Sequence, residues 1–292
     1  MKHSLRRAAI IISFTCALVT PHAHATPGQP GTLDPFWATG SSVGPGKVTT
    51  PIGNSSDYAT AVTLQPDGKV LLAGYCSNGT NNDFCAARYL PNGTLDSTWN
   101  GTGTVITPIG SSNAYAYAMT LQPDGKVLVA GTCYNGANYD FCAARYLANG
   151  TLDSTWNGTG KVITPIGSST DFANAMTLQP DGKVLLAGRC FNGTNNDFCA
   201  ARYLPNGMLD NTWSGTGTVI TPIGGSAYAM TLQPDGKVLL AGNCVNGATV
   251  AFCAARYDGG PFPSPTCNLD IDGDGQILST IDSLIHAASR SA

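Results

Sequence analysis

Short apolar runs, separated by turns rich in glycine and asparagine, recur along most of the chain. Around the second copy of this pattern, four runs predict β-strands at residues 105–109, 117–122, 126–133 and 141–147. The third run contains the continuous apolar segment VLVAG, which is typical of a strand buried on both faces. The fourth alternates, with Cys142, Ala144 and Tyr146 on one face of the strand. These runs predict four antiparallel strands in one unit.

The unit recurs four times with its motifs in a fixed order. QPDGK begins at residues 65, 122, 179 and 233, so successive copies lie 57, 57 and 54 residues apart. Each unit opens on TLDxxW or MLDxxW, continues with VTTPIG or VITPIG, and closes on CAARY. A fixed period of this size is typical of repeat architectures, and four antiparallel strands per unit describe a β-propeller blade. We therefore predict an all-β fold whose four units cover residues 32–93, 94–150, 151–207 and 208–258.

The motifs also resemble those of a known family. The order QPDGK, VLLAG, ARY and NG-x-LD is similar to the delta-60 repeat, and the resemblance covers residues 32–258. It implies a β-propeller in a secreted or surface bacterial protein, with no established common activity. That family often carries more than four copies, and the paired cysteines are an addition here. We expect the four blades to close into a small ring; the alternative is an open arc whose strand edges pair with a second copy as a homodimer.

The first 25 residues have the layout of a secretory signal peptide. Three basic residues precede an apolar run at 8–19, and the sequence AHA before Thr26 fits a small-x-small cleavage site. The run is too short to cross a membrane, and no other apolar run approaches ~18 residues. We expect a secreted protein, extracellular or periplasmic, without a membrane span.

The composition favours strands and tight turns over helices. All 18 acidic residues are aspartate, and the chain holds 35 glycines. Aspartate and glycine favour turns, whereas glutamate favours helix interiors. After removal of the signal peptide, 12 Lys and Arg remain against 18 Asp, a net charge of −6. This balance provides no basic patch for nucleic acid.

Eight cysteines form four Cys-x8-Cys pairs, each flanking a turn rich in glycine and asparagine. In an oxidising compartment such pairs predict disulfides, and the turn places both members on adjacent strands. The predicted pairs are Cys76 with Cys85, Cys133 with Cys142, Cys190 with Cys199, and Cys244 with Cys253. A zinc site is the weaker alternative, because zinc favours spacings of two to four residues and usually adds histidine.

Nearly every charged residue before the tail belongs to the repeat. An arginine lies in the last strand of each unit, and an aspartate follows the leucine of each TLD or MLD motif. The arginines are Arg88, Arg145, Arg202 and Arg256, and the aspartates are Asp34, Asp96, Asp153 and Asp210. We expect these groups to pair and to hold neighbouring units in register, since a guanidinium inside a sheet needs acceptors. The alternative is that the arginines line a channel and bind an anion.

A few residues break the symmetry of the repeat. Arg189 replaces Tyr75, Thr132 and Asn243, and lysines at 47 and 161 replace threonine. The aspartate at 83, 140 and 197 becomes alanine at 251. These positions are candidates for a binding surface, and they are equally well explained by sequence drift.

Beyond a linker at 259–266, the tail at 267–292 resembles a dockerin or EF-hand calcium loop. Carboxylates at alternating positions followed by glycine suit calcium coordination. The predicted ligands are Asp270, Asp272, Asp274, Gln276 and Asp282. The pattern departs at its end, where position 12 is Ile281 and the acid follows one residue later. The alternative is a plain Asp/Gly turn.

These features predict a secreted, non-catalytic propeller that acts as a binding or scaffold module for a protein or carbohydrate ligand, with a calcium-stabilised tail. The alternative is a secreted enzyme, a hydrolase, lyase or quinone-type oxidoreductase, with a site in the propeller channel. Only one histidine, His286, follows the signal peptide, no glutamate is present, and the cysteines are expected to be oxidised. These features count against the enzyme, because they remove the usual bases and nucleophiles. A structural surface protein is a third possibility.

Overall fold

A computed structural model of the chain describes residues 30–260, and these form β-strands joined by turns. A single 3-10 turn at Trp156–Gly158 interrupts this pattern. The strands are β1 (Asp57–Leu64), β2 (Val70–Ser77), β3 (Asn82–Tyr89), β4 (Thr104–Thr107), β5 (Ala114–Leu121), β6 (Val127–Tyr134), β7 (Tyr139–Tyr146), β8 (Lys161–Thr164), β9 (Asp171–Leu178), β10 (Val184–Phe191), β11 (Asn196–Tyr203), β12 (Thr218–Thr221), β13 (Gly225–Leu232), β14 (Val238–Asn246) and β15 (Thr249–Tyr257).

The strands form four antiparallel sheets in which neighbours in sequence are neighbours in space. The first three sheets have the orders β1-β2-β3-β4, β5-β6-β7-β8 and β9-β10-β11-β12. The fourth has three strands, β13-β14-β15. Each QPDGK turn joins the first two strands of a sheet, and each Cys-x8-Cys hairpin joins the second to the third. The all-β, propeller-type arrangement predicted from the repeat is therefore confirmed.

The fourth strand of each of the first three sheets comes from the following sequence unit. The strand predicted at 105–109 was assigned to the start of the second unit, but β4 pairs with β3 of the first sheet, with Phe84 opposite Thr107. This assignment was wrong because the TLDxxW segment folds back on the strand that precedes it. Leu95 forms a bridge to Tyr89, and the Arg88 amide donates to the carbonyl of Gly103 over 2.9 Å.

Hydrophobic clusters join each sheet to the next. Phe84, Phe141 and Phe198 occupy equivalent positions at the three junctions, and each has 0% of its surface exposed. All the residues of β6 except the last are buried, as the continuous apolar segment predicts. The hydrophobic core therefore consists of three layers between successive sheets.

The glycine of VLLAG lets the first strand of each sheet approach closely. At Gly188 a Cβ atom would lie 1.7 Å from the carbonyl oxygen of Phe172, well inside any permitted contact. The register of β9 against β10 shifts at this point, between Ala187 and Gly188. Glycine is required here because a bulge in β9 brings its backbone against the second strand.

The four described sheets do not close into a ring. In the fourth sheet Phe252, the equivalent of the three buried phenylalanines, is fully exposed. In the first sheet Val62 and Leu64 are 68% and 66% exposed. The expectation of a closed ring is therefore wrong for the described sheets, which form an open arc. Among residues 30–260 the fourth sheet has three strands.

The cysteine pairs lie across the second hairpin of each sheet. The structure joins Cys190 to Cys199 and Cys244 to Cys253, with Cα atoms 5.8 Å apart in both pairs. The other four cysteines lie at the same hairpin positions as buried thiols. For Cys76 with Cys85 and Cys133 with Cys142, disulfide formation stays a prediction.

Candidate ligand-binding surface

Three of the repeated arginines, Arg88, Arg145 and Arg202, are buried and ion-paired inside the fold. Arg145 pairs with Asp153, with Nη2 and Oδ2 2.8 Å apart, and its Nη1 donates to the carbonyl of Pro205 in the next unit. Its guanidinium also lies over Trp156, 5.7 Å from the ring centroid. Arg88 and Arg202 make the equivalent ion pairs and stacking contacts. These contacts support the predicted role in register for three of the four arginines, and leave no anion site at the three.

The ion pairs also set the ionisation of the repeated aspartates. Burial raises the pKa of Asp153, but hydrogen bonds from Thr155 and the charge of Arg145 outweigh it, and the pKa falls below 3.8. Asp96 and Asp210 behave in the same way. All three are therefore carboxylates at neutral pH, as the arginines require.

An aromatic belt crosses the first three sheets along one edge of the array. Its members come from the ends of strands β1, β2, β5, β6, β7 and β9, and most are half-buried. They are Tyr58, Tyr75, Tyr115, Tyr117, Tyr134, Tyr139 and Phe172. Neighbouring ring centroids lie between 5.0 and 6.5 Å apart. This spacing is typical of stacked and edge-to-face aromatic pairs, so the belt is one continuous surface.

Arg189 ends the belt on the third sheet. Its guanidinium carbon lies 4.3 Å from the ring centroid of Phe172, over the ring face. Among residues 30–260 no hydrogen bond or ion pair engages the guanidinium, unlike those of Arg88, Arg145 and Arg202. It borders a shallow cleft of about 300 Å³ that Thr170, Phe191 and Asn196 also line. A half-buried guanidinium with free donors beside aromatic faces can bind a carboxylate or sulfate group by donating hydrogen bonds to it.

The phenols of Tyr75 and Tyr117 in the belt stay neutral at physiological pH. Burial, followed by the neighbouring Tyr58 and Tyr115, raises the pKa of Tyr75 above 10.0. Burial also raises the pKa of Tyr117, and the charge of Arg189 offsets only part of that rise. At these two residues the belt therefore offers uncharged ring faces and hydroxyl groups, with the guanidinium of Arg189 at its end.

Sequence reasoning found one member of this surface and missed the rest. Arg189 was singled out because it breaks the repeat. From the sequence alone, no role is assigned to the tyrosines. At the equivalent positions 58, 115, 172 and 226 the residues are tyrosine, tyrosine, phenylalanine and serine. That decline from aromatic to small residues is the signal that could have revealed the belt. Of the other symmetry-breaking residues, Lys161 donates to the carbonyl of Pro108, which indicates a structural role.

A buried pair of aspartates lies beneath the belt, between the second and third sheets. Asp140 and Asp171 are both fully buried, and the hydroxyl of Thr132 donates to the main-chain carbonyls of both residues. Burial raises the pKa of each, and the charge of Asp171 raises the pKa of Asp140 further. Neither side chain is exposed to solvent in this structure.

We expect Asp140→Asn to increase the free energy of unfolding near neutral pH by about 1–3 kcal/mol, the scale of an uncompensated buried polar group. The amide keeps an acceptor for Asn135 and carries no charge against Asp171. A raised folded pKa means that the parent is most stable below the ordinary value of 3.8 and loses stability as pH rises through the folded value. The increase in the free energy of unfolding of Asp140→Asn over the parent, measured by urea titration, should therefore be smaller at low pH. Equal gains at pH 3 and pH 7 would contradict this explanation.

The predicted calcium ligands Asp270, Asp272, Asp274, Gln276 and Asp282 lie outside the described residues, as do the signal peptide and most of the linker. Within residues 30–260 no group of three or more His, Cys or Asp side chains is placed to hold a metal ion. Also within this range, no helix has the length and apolarity needed to cross a membrane.

The fold defines a repeat protein of the β-propeller class. A family model described as "Domain of unknown function (DUF5122) beta-propeller" matches residues 65–98, 122–155 and 179–212. Each match starts at QPDGK and ends in the TLDxxW or MLDxxW segment that follows. The three matches support a β-propeller repeat family for this chain. No curated protein matches it.

Solved structures show distant likenesses. An ulvan lyase of a polysaccharide lyase family, PL25, has a TM-score of 0.41 and 10% identity, covering 68% of this chain and 55% of that one. A gluconolactonase from Xanthomonas campestris has a TM-score of 0.34 and 13% identity, covering 68% and 59%. This chain thus spans little more than half the length of either structure. At these scores the likenesses give no argument about activity.

Proposed function

We propose that this chain is a secreted, non-catalytic binding module whose aromatic belt and Arg189 hold an acidic carbohydrate chain. The observation that carries the proposal is the unpaired guanidinium of Arg189 stacked on Phe172, at the end of a continuous row of half-buried rings. By contrast, the three buried arginines of residues 30–260, Arg88, Arg145 and Arg202, each have a carboxylate partner.

The chemistry of the belt suits a sugar polymer. Flat aromatic faces carry negative quadrupole charge and pack against the weakly positive C–H faces of pyranose rings. Tyrosine hydroxyls add donors and acceptors along the same surface. The planar guanidinium matches a carboxylate in two parallel hydrogen bonds, which favours a uronate over a neutral sugar. An extended ligand is favoured because the belt crosses three sheets.

The arrangement of charged groups supports binding over catalysis. Asp96, Asp153 and Asp210 are held as carboxylates by arginine, and Asp140 and Asp171 are buried. None of these carboxyls lies on the belt. General acid–base catalysis requires a titrating group within hydrogen-bond reach of the substrate.

The test uses the full chain in affinity electrophoresis against polygalacturonate, alginate and, as a neutral polymer, dextran. Arg189→Thr introduces the residue of the second unit at the same position, so the strand is kept. We expect the parent to be retarded by the acidic polymers, and the variant to bind them at least about tenfold more weakly, the loss of one charge-assisted pair.

Lys126→Ala is the matched control, because Lys126 is another positive group whose partner is the adjacent turn residue Asp124. It should bind like the parent. Equal weakening in both variants would indicate a general charge effect, and no retardation of the parent by any polymer would contradict the proposal.

The proposal includes export and a calcium-stabilised tail, both based on sequence alone. Loss of residues 1–25 from the secreted chain, read by mass spectrometry, checks the first. A calorimetric calcium titration of the full chain beside Asp272→Ala checks the second, and equal heats in both would exclude the proposed ligand set.

A further inference from the structure

The segment before β1 occupies the place of a missing neighbour. In the second sheet, the hydroxyl of Tyr146 donates to Thr107 of the preceding edge strand, over 2.7 Å. In the first sheet, the hydroxyl of Tyr89 makes the same bond to Thr50, over 2.8 Å, although no sheet precedes it in the described part of the chain. Residues 32–52, which we call the orphan segment, therefore occupy the position that the last strand of a preceding sheet would have. The same contact that joins successive sheets elsewhere holds this segment on the first sheet.

A main-chain contact repeats the same equivalence. The Asn100 amide donates to the carbonyl of Asn149 in the following unit over 2.7 Å. The Ala38 amide donates to the carbonyl of Asn92 over the same distance. Ala38 and Asn100 both follow the tryptophan of their motif and share a positive φ. The orphan segment thus has the conformation that closes the first and second sheets.

The fourth sheet lacks the parts that this segment supplies elsewhere. Among residues 30–260, no fourth strand lies beside its last strand, β15. Arg256 is exposed and has no ion pair among residues 30–260, whereas Arg88, Arg145 and Arg202 each bind the aspartate of the following motif. The equivalent aspartate of the orphan segment is Asp34, which is also exposed and makes no ion pair in the described residues.

The two end faces are apolar and complementary. On the first sheet an open cleft of about 520 Å³ lies between the orphan segment and β1–β3, lined in part by Ile52, Tyr58 and Leu72. At the next junction the equivalent face of the second sheet is filled by Leu71 and Phe84. On the fourth sheet the phenylalanine equivalent to Phe84 is Phe252, whose side chain is fully exposed.

We infer that the fourth sheet of one copy of this chain docks on the first sheet of a second copy, which supplies its segment at 32–52 as the missing fourth strand. The register follows from the first sheet, where Phe84 pairs with Thr107 and Ala86 with Val105. Phe252 then lies opposite Thr50 of the second copy, and Ala254 opposite Val48. Arg256 reaches Asp34 of that copy.

A second copy fits this end better than the chain's own start. The orphan segment is already fixed to its own first sheet, and the first and fourth sheets share no hydrophobic cluster in the described residues. The contact is head-to-tail, so copies form a closed ring if the rotation closes, or a filament if it does not. Burial of the exposed phenylalanine and pairing of a free strand edge both favour association.

Cross-linking of mixed single variants tests the contact. Val48→Cys in one preparation and Ala254→Cys in another place cysteines opposite each other only between copies. Paired residues of antiparallel strands have Cα atoms about 4.5–5.5 Å apart, within the range of a disulfide. We expect a covalent two-chain species from the mixture. Ile106 is exposed on the edge strand of the first sheet, so Ile106→Cys is the matched control. This variant should give no more of the covalent two-chain species than the parent does.

Sedimentation velocity on the full chain gives the independent measurement. We expect assemblies of two or more copies at micromolar concentration, and Phe252→Lys to weaken association at least about tenfold, as for a buried aromatic at an interface centre. A monomeric parent at 100 µM, about two decades higher, without cross-linking would overturn the inference. So would an internal cross-link in a monomeric double variant, which would show that the chain closes on itself.

Discussion

Replacement of Phe141 by alanine is expected to lower the free energy of unfolding by about 3–5 kcal/mol, the range for a buried phenylalanine. The ring lies between the second and third sheets with none of its surface exposed. It contacts a cluster that includes Leu128, Trp156 and Leu186. The loss combines transfer of the ring to water with the cavity that remains, because close-packed sheets relax only in part. Urea unfolding monitored by tryptophan fluorescence measures it.

The same substitution at Phe252 is the matched control. Phe252 occupies the equivalent strand position, but its side chain is fully exposed in the single chain. At concentrations low enough to keep copies apart, Phe252→Ala should change the free energy of unfolding by less than about 0.5 kcal/mol, as for an ordinary surface site. A loss equal to that of Phe141→Ala in monomeric protein would mean that the sheets close into a ring.

Replacement of Arg145 by alanine should lower the free energy of unfolding by about 3–5 kcal/mol, nearly as much as the loss of the Phe141 ring. The substitution Arg145→Ala leaves the buried carboxylate of Asp153 without its counter-charge, and frees the carbonyl of Pro205. It also removes the guanidinium from the face of Trp156. Most of the cost comes from the stranded charge, since breaking a buried pair is far more costly than the net worth of the pair.

The pH dependence identifies that cause. The pKa of Asp153 lies below 3.8 in the folded protein, so its ion pair stabilises the fold above the unfolded pKa and is lost as pH falls through the folded value. The difference in the free energy of unfolding between the parent and Arg145→Ala should therefore become smaller at low pH. Lys126→Ala removes a lysine from a surface ion pair in the same unit and should cost at most about 1 kcal/mol. Equal losses in the two variants would contradict the distinction between buried and surface pairs.

Local patterns predicted the strands, but pairing across units was not readable from them. The apolar segment VLVAG, the QPDGK turn and the CAARY strand all lie where periodicity and turn chemistry place them, because each depends on a few adjacent residues. The strand at 104–107 was assigned to the wrong sheet. Its partner is decided by the fold of the TLDxxW segment, where Leu95 bridges to Tyr89 and the Trp99 ring is fully buried. That contact lies outside any local window.

Closure and the ligand surface depend on geometry that a repeat period does not contain. Four units with identical motifs are compatible with a ring and with an open array, and the rotation between sheets decides which forms. Arg189 could be flagged because it differs from its equivalents. The change from aromatic residues to serine across positions 58, 115, 172 and 226 is a sequence signal for the tyrosines. Their contact is not, because Tyr75 and Tyr115 belong to different units and meet only when neighbouring sheets pack.

The most direct measurement is a calorimetric titration of a galacturonate tetramer into the full parent chain and into Arg189→Thr. If repeated residues build the fold and the belt with Arg189 binds an acidic sugar, the parent should release heat with a saturable curve. The variant should bind at least about tenfold more weakly with an unchanged unfolding midpoint. Identical binding curves for the two proteins would contradict the proposed function. So would the absence of heat from the parent at millimolar ligand, because it would mean a Kd above about 1 mM.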